Sequence, residues 1–344
     1  MGGTGSHGRV SAYEGQGMPR PTVRSLMTKA IPQPKTPRLN VTLAGLRLRT
    51  PLIAASGIWG YGEEHVGSPQ IDHLGAFVLK TTTLHPRAGN PPGARTVETP
   101  AGLVNSIGLE NPGLEAFLAE KLPRARELGL PLIASIAGAT VDEFAEMAAR
   151  LDQADGIAAL ELNISCPNVE KHGMAFGADA ESAAAVVAAC RARWRNNPLI
   201  AKLTPNVTDI AEIAVACEAA GADAIALVNT FTAMCIDIRT RRPRLGANFG
   251  GLSGPAIRPA AVLRVYRVAQ AVKVPVIGMG GVWDAEDALE FIVAGATAVG
   301  LGTCLLAAPE KPGEIVRGVR EFLRRERIAS VRELIGSVKL NPAE

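Results

Sequence analysis

The sequence predicts a (β/α)8 barrel behind a flexible amino-terminal tail. Three observations lead there. From Val41 onward, eight short apolar runs of strand length recur; amphipathic segments with helical spacing separate most of them; and polar residues gather where the runs end, on the side where barrels of this kind carry their sites. Alternation of this sort also fits a doubly wound parallel sheet, which stays open as the weaker alternative. No change of composition after residue 38 demands a second domain, so residues 39–344 read as one.

Residues 1–38 are rich in Gly, Pro, Ser and Arg and hold little apolar periodicity, the mark of a segment that cannot bury enough surface to order itself. They contain no apolar stretch fit for a signal sequence or a spanning helix. Met18 and Met27 are possible alternative starts, and the basic, acid-poor composition leaves a transit peptide as a second reading.

The strand-like runs are PLIAAS from Pro51, GAFVLK from Gly75, PLIASI from Pro131, AALELN from Ala158, PLIAKL from Pro198, DAIALV from Asp223, VPVIGM from Val274 and TAVGLG from Thr297. Helices are expected over Val141 to Leu151, Asp179 to Trp194, Asp209 to Ala220, Pro259 to Val272 and Ala285 to Ala294. Thr140, Thr208 and Asp284 mark helix starts, and Gly221 and Gly295 mark helix ends.

At 344 residues and 47% hydrophobic, the chain can bury a barrel-sized core. A net charge of +3 is too small to suggest nucleic acid or a membrane surface as partner. Cys166, Cys190, Cys217, Cys235 and Cys304 are far apart and form no CxxC pair, so neither a disulfide framework nor a zinc site is indicated. A reduced, cytoplasmic protein is expected.

The carboxyl ends of the runs supply chemistry. The first ends in Ala55-Ser56-Gly57, the second in Lys80-Thr81, the fifth in Lys202 and the sixth in Asn229-Thr230. The fourth ends in Asn163, Ser165, Cys166, Pro167 and Asn168, poor strand formers with hydrogen-bonding or nucleophilic side chains. A cysteine there can act as base or nucleophile if its thiolate is stabilised. Gly280-Gly281 and Gly302-Thr303 end the last two runs and offer bare backbone N–H groups to a phosphate.

The strings LKTTTLHPRAGNPPGARTVET, GLVNSIGLENPG, ELNISCPNVEKHGMAFG, KLTPNVTDI, GGLSGPAIRP, VIGMGGV and GLGT carry a resemblance. Over roughly Leu39 to Ile335 the chain resembles the class 1 dihydroorotate dehydrogenases, closest to the subgroup that works with an iron–sulfur flavoprotein. The resemblance implies an FMN-containing barrel that oxidises dihydroorotate to orotate in the synthesis of pyrimidines and UMP. Cys166 would then be the base that takes the C5 proton. Lys80, Asn105, Asn163, Asn168, Asn229 and Thr230 would hold the substrate, with the backbone of Ser106, Ile107, Gly108 and Leu109 lining the same pocket. For FMN, the resemblance implies Ser56, Lys80, Thr81, Ser135, Asn163, Lys202, Val228 and Gly254 around the ring and ribityl chain. Gly280, Gly281, Gly302 and Thr303 would take its phosphate, and residues 169–177 would form a lid. Ser135 stands where the subgroup usually has asparagine, and Met234-Cys235 departs from its pattern too. The implied partner is a subunit carrying FAD and a [2Fe–2S] cluster, joined to a homodimeric core as a heterotetramer, with no metal in this chain. Related readings are a tRNA dihydrouridine synthase, a dihydropyrimidine dehydrogenase, a fumarate-using enzyme of the same family, or an aldolase with Lys202 as Schiff base.

Overall fold

The computed structural model describes residues 1–2, 36–165 and 176–342. Everything below concerns the unit Pro34–Glu344. The expected tail falls mostly outside the described residues, as do Cys166, Asn168 and all of the expected lid except Phe176 and Gly177.

All eight apolar runs become staves of one closed barrel. They are β1 (Leu52–Ala54), β2 (Ala76–Val78), β3 (Leu132–Ile136), β4 (Ala159–Asn163), β5 (Leu199–Lys202), β6 (Ala224–Leu227), β7 (Val276–Met279) and β8 (Ala296–Leu301). Each pairs in parallel with its sequence neighbour, and β8 returns to β1 with Gly300 opposite Ile53. That last pairing excludes the doubly wound sheet, which leaves two edges open. Every residue of β1 to β7 is buried, because helices cover the outside of a parallel barrel while side chains fill its inside.

The main outer helices are α1 (Val141–Leu151), α2 (Ala180–Arg191), α3 (Ile210–Ala219), α4 (Arg258–Ala271), α5 (Ala285–Ala294) and α6 (Lys311–Arg325). α1 buries Phe144, Met147, Ala148 and Leu151, one stripe at helical spacing. Its start is fixed by Thr140, whose Oγ1 accepts from the Glu143 N–H at 3.2 Å. α5 begins with a capping box in which Asp284 and Asp287 each accept from the other's backbone N–H. The start of α3 corrects an expectation: the cap is Asp209, not Thr208. The Asp209 carboxylate accepts from Ala211 N at 2.9 Å, adding negative charge where the helix dipole is positive. Gly221 and Gly295 do end helices, with φ of 105° and 126°.

Other elements give no strong signal in the sequence. An antiparallel hairpin, Val41–Leu43 with Leu46–Leu48, precedes the barrel. A four-stranded antiparallel sheet joins Thr96–Thr99 and Gly102–Asn105, from the segment after β2, to Gly250–Ser253 and Phe231–Ala233, from the segment after β6. The half-buried Cys235 packs beside this sheet against the small cluster of Val97, Val104 and Leu245.

Cys190 on α2 and Cys217 on α3 are packing residues with no exposed surface. Burial pushes both thiols up to about 12, and that of Cys304 up to about 11, from the ordinary thiol range. Such a thiol keeps its proton in the folded chain after the unfolded chain has lost it. Its contribution to stability is therefore whole below about pH 9 and is lost as pH climbs towards 12. The thermal unfolding midpoint is expected to fall across this window, and to fall less steeply in Cys217→Ala. Equal slopes in calorimetry of the two proteins would contradict the assignment.

Candidate active site

A cavity of about 680 Å³ opens at the carboxyl ends of the strands. Its wall collects Ser56, Lys80, Thr81, Asn163, Lys202, Val228, Asn229, Thr230, Gly280, Gly281, Gly302 and Thr303 from strand ends. The inserted segments add Asn105, Ser106, Ile107, Gly108, Leu109 and Gly254. Of the site residues expected from sequence, only Ser135, Cys166 and Asn168 are not among those on the wall. Ser135 lies one layer behind it, while Cys166 and Asn168 lie outside the described residues. Ser165, the residue before Cys166, is on the wall, and its Oγ is buried without a hydrogen-bond partner among the described residues.

The floor is a polar chain inside the barrel. Lys202, 5% exposed at the end of β5, donates from Nζ to Ser56 Oγ at 3.0 Å and stands 3.6 Å from Glu161 Oε1. Ser135 donates to the same Glu161 oxygen at 3.0 Å and shares a 2.9 Å hydrogen bond with Thr81 Oγ1. Glu161, 1% exposed, is two residues before Asn163 on β4, so the strand's alternation sends both to one face. A carboxylate this deep is stable only with a cation and hydrogen bonds around it, and Lys202 and Ser135 supply them.

Above the floor, Asn229 Nδ2 donates to Asn163 Oδ1 at 3.3 Å, and its own Oδ1 accepts from Thr230 N at 2.8 Å. Asn105 Nδ2 donates to Gly251 O at 3.2 Å, tying the two inserted segments together. Burial holds the Lys80 ammonium below the usual lysine range, and the nearby Glu110 carboxylate opposes that shift.

The loop carrying Ser106 to Leu109 is held from both sides. Asn90 Nδ2 donates to Ser106 O at 3.0 Å and Oγ at 2.7 Å. Buried Asn111 accepts from Thr83 N at 3.1 Å and Gly113 N at 2.9 Å, and donates to Thr83 Oγ1 at 2.8 Å and Leu109 O at 2.7 Å. Gly108 has φ of 78°, and a side chain there would collide with the Asn90 backbone.

Elsewhere around the cavity, three backbone segments crowd together. A Cβ on Gly281 would sit 2.8 Å from Arg258 N and 2.9 Å from Gly254 O, and one on Gly254 would sit 2.7 Å from Gly102 Cα. Gly302 differs, since a Cβ there would meet nothing within 4 Å. Thr303 Oγ1 donates to Ser253 Oγ at 2.8 Å.

Sequence reasoning missed Glu161, Ser165, Ser253, Asn90 and Asn111 as site residues. Glu161 did leave a signal, as a lone carboxylate inside an apolar run. Ser165 also stood in the polar cluster ending the fourth run. The two asparagines left none, because they lie in a segment with no periodicity.

The sequence model described as "Dihydroorotate dehydrogenase" matches residues 38–323 of this chain. The chain belongs to the dihydroorotate dehydrogenase family. It is 52% identical over 303 residues to a protein of Trichlorobacter lovleyi named "Dihydroorotate dehydrogenase B (NAD(+)), catalytic subunit", covering 88% of this chain and 99% of that one. Proteins of the same name from Desulforudis audaxviator and Pelobacter propionicus are 53% identical over 297 residues and 50% over 303. The alignments span 86% and 88% of this chain and 96% and 99% of theirs. Membership of the family implies a flavin cofactor, and the synthase, dihydropyrimidine dehydrogenase and aldolase readings lose their footing. No helix among the described residues is long and apolar enough to cross a membrane.

Asn111→Ala would leave three backbone groups and the Thr83 hydroxyl without their partner. The expected cost is roughly 2 to 3 kcal/mol of stability, with faster proteolysis in the 106–110 loop. Denaturant unfolding and limited digestion check both, and unchanged values in both would show that the bracket is dispensable.

Proposed function

We propose that the chain is the catalytic subunit of a dihydroorotate dehydrogenase that oxidises (S)-dihydroorotate to orotate, with FMN as its flavin, in the synthesis of pyrimidines. One observation carries this reading. Two lysines, three asparagines and two glycine-bearing strand ends meet on one cavity, in a chain half identical to proteins of that name.

The cavity suits a flat flavin with a phosphate arm. Gly302 presents open space where any other residue would put a side chain, and the glycines at 280 and 281 let backbone approach closely. Ser165 Oγ is a buried polar atom with no partner among the described residues. Ser56, Thr81, Lys202, Val228 and Gly254 would hold the ring and ribityl chain, and Gly280, Gly281, Gly302 and Thr303 the phosphate. Ser135 would act from behind Thr81. Bound FMN supplies a two-electron acceptor for the hydride that leaves C6 of the substrate.

The chain's own residues do the rest. Asn105, Asn163, Asn229 and Thr230, with the backbone of residues 106–109, match a ring that both donates and accepts hydrogen bonds. Lys80 places a cation beside the substrate, and Asn168 would brace the loop or reach the substrate carboxylate. Cys166 takes the C5 proton as thiolate, since a C–H next to a carbonyl is weakly acidic and needs a base held against it. Residues 169–177 would cover the site and exclude water.

The relatives' name speaks of a catalytic subunit and of NAD(+), and we assign the onward transfer of electrons to a separate subunit bearing FAD and a [2Fe–2S] cluster. A homodimer of this chain would form the core of that assembly, residues 39–344 would form its catalytic barrel domain, and its place would be the cytoplasm.

The test is anaerobic mixing of the flavin-loaded chain with dihydroorotate, followed by turnover with NAD, fumarate or a dye, with and without candidate subunits. Rapid bleaching of the flavin is expected, with NAD reduced only when the partner is present. Cys166→Ser should bind flavin normally and bleach at least about a hundredfold more slowly, the usual weight of a general base. Because a free thiol ionises near pH 8.5, the bleaching rate should rise between about pH 7 and pH 9. Unaltered bleaching in the variant would remove Cys166 from the role.

A further inference from the structure

Among the described residues only Glu161, Lys202 and Asp287 are both charged and buried. Asp287 is explained by the fold, since its carboxylate accepts from Trp283 N at 2.8 Å and Asp284 N at 3.2 Å and pairs with Arg258. Glu161 caps nothing. It sits within a barrel stave where an apolar residue would cost nothing to bury, and a carboxylate there costs several kcal/mol before pairing. Its partners are Ser135 and Lys202. Of these three residues only Lys202 is on the cavity wall.

The ammonium of Lys202 is thus held between two oxygens, Ser56 Oγ at 3.0 Å and Glu161 Oε1 at 3.6 Å. Ser135, fixed by Thr81, donates to that same Glu161 oxygen and orients the carboxylate. We infer that Glu161 is a positioning residue that sets the reduction potential of the bound flavin, by aiming Lys202 at Ser56 and partly cancelling its charge. The inference rests on the proposed placing of Lys202 beside the flavin. A reduced flavin gathers negative charge, so a lone cation nearby favours reduction, whereas an ion pair favours it less.

The test measures the flavin midpoint potential by dye equilibration on the full flavin-loaded chain and three variants: Glu161→Gln, Lys202→Met and the double substitution. Glu161→Gln keeps the side chain's shape and its bond from Ser135. It is expected to raise the ratio of reduced to oxidised flavin by about tenfold at fixed poise, while Lys202→Met lowers it. In the Lys202→Met background, Glu161→Gln should have a smaller effect, because the part that acts through the position of the lysine is gone. If Lys202→Met leaves the potential unmoved, the placing of the lysine is wrong and the inference falls with it. If Lys202→Met moves it and Glu161→Gln does not, the inference alone is overturned, as it is when Glu161→Gln shifts the potential equally in both backgrounds. Should Glu161→Gln fail to fold, Glu161→Asp lengthens the pair and must raise the ratio by a smaller factor; no rise overturns the proposal.

Discussion

Closure of eight parallel strands into a ring dictates the rest of this molecule. Parallel staves all finish on the same side, so whatever follows each strand in sequence is delivered to one rim. Register then decides which strand ends are neighbours. Asn163 stands opposite Lys202 across β4 and β5, and Ser135 opposite Glu161 across β3 and β4. Residues far apart in the chain become a connected polar floor because their strands are hydrogen-bonded neighbours in a ring with no edge. The floor is possible only as a unit, since each buried charge would be costly without the other.

How much of this was legible in the sequence follows from what buries each segment. The eight staves were legible because both faces of a barrel strand are covered, which leaves short, nearly unbroken apolar runs such as PLIAAS and PLIAKL. Lys80, Lys202, Asn163 and Asn229 were legible because a polar residue that closes such a run has few structural reasons to be there. Glu161 was harder to assign, since it lies within its run and its role depends on a register that no local pattern reveals. Asn90 and Asn111 are visible only once the loop between them has a shape. The start of α3 went to Asp209 over Thr208 by one residue, a difference that carboxylate charge decides and spacing does not.

The antiparallel sheet beside the rim was not legible for a different reason. Its strands GLVN and GGLS are glycine-rich and lack alternation, and they pair across nearly 150 positions of sequence, with Gly251 opposite Asn105. The glycines reflect crowding: a side chain at Gly251 would collide with Thr230, and one at Gly250 would come within 2.6 Å of Asn105 O. Two segments that look like loops from sequence alone are therefore one wall, fixed by main-chain bonds and by the Asn105 amide.

That wall gives the floor its chemical weight. A barrel rim by itself is shallow, and charges set at its mouth would be screened by water. The insertions after β2 and β6 raise Asn105, Leu103 and Gly254 around the cavity, in whose wall Lys202 is 5% exposed. Interactions between charges strengthen severalfold as water is withdrawn, so the same two lysines would count for far less on an open rim. The sheet thus does for the electrostatics what the barrel does for the geometry. One places the groups; the other removes the solvent that would weaken them.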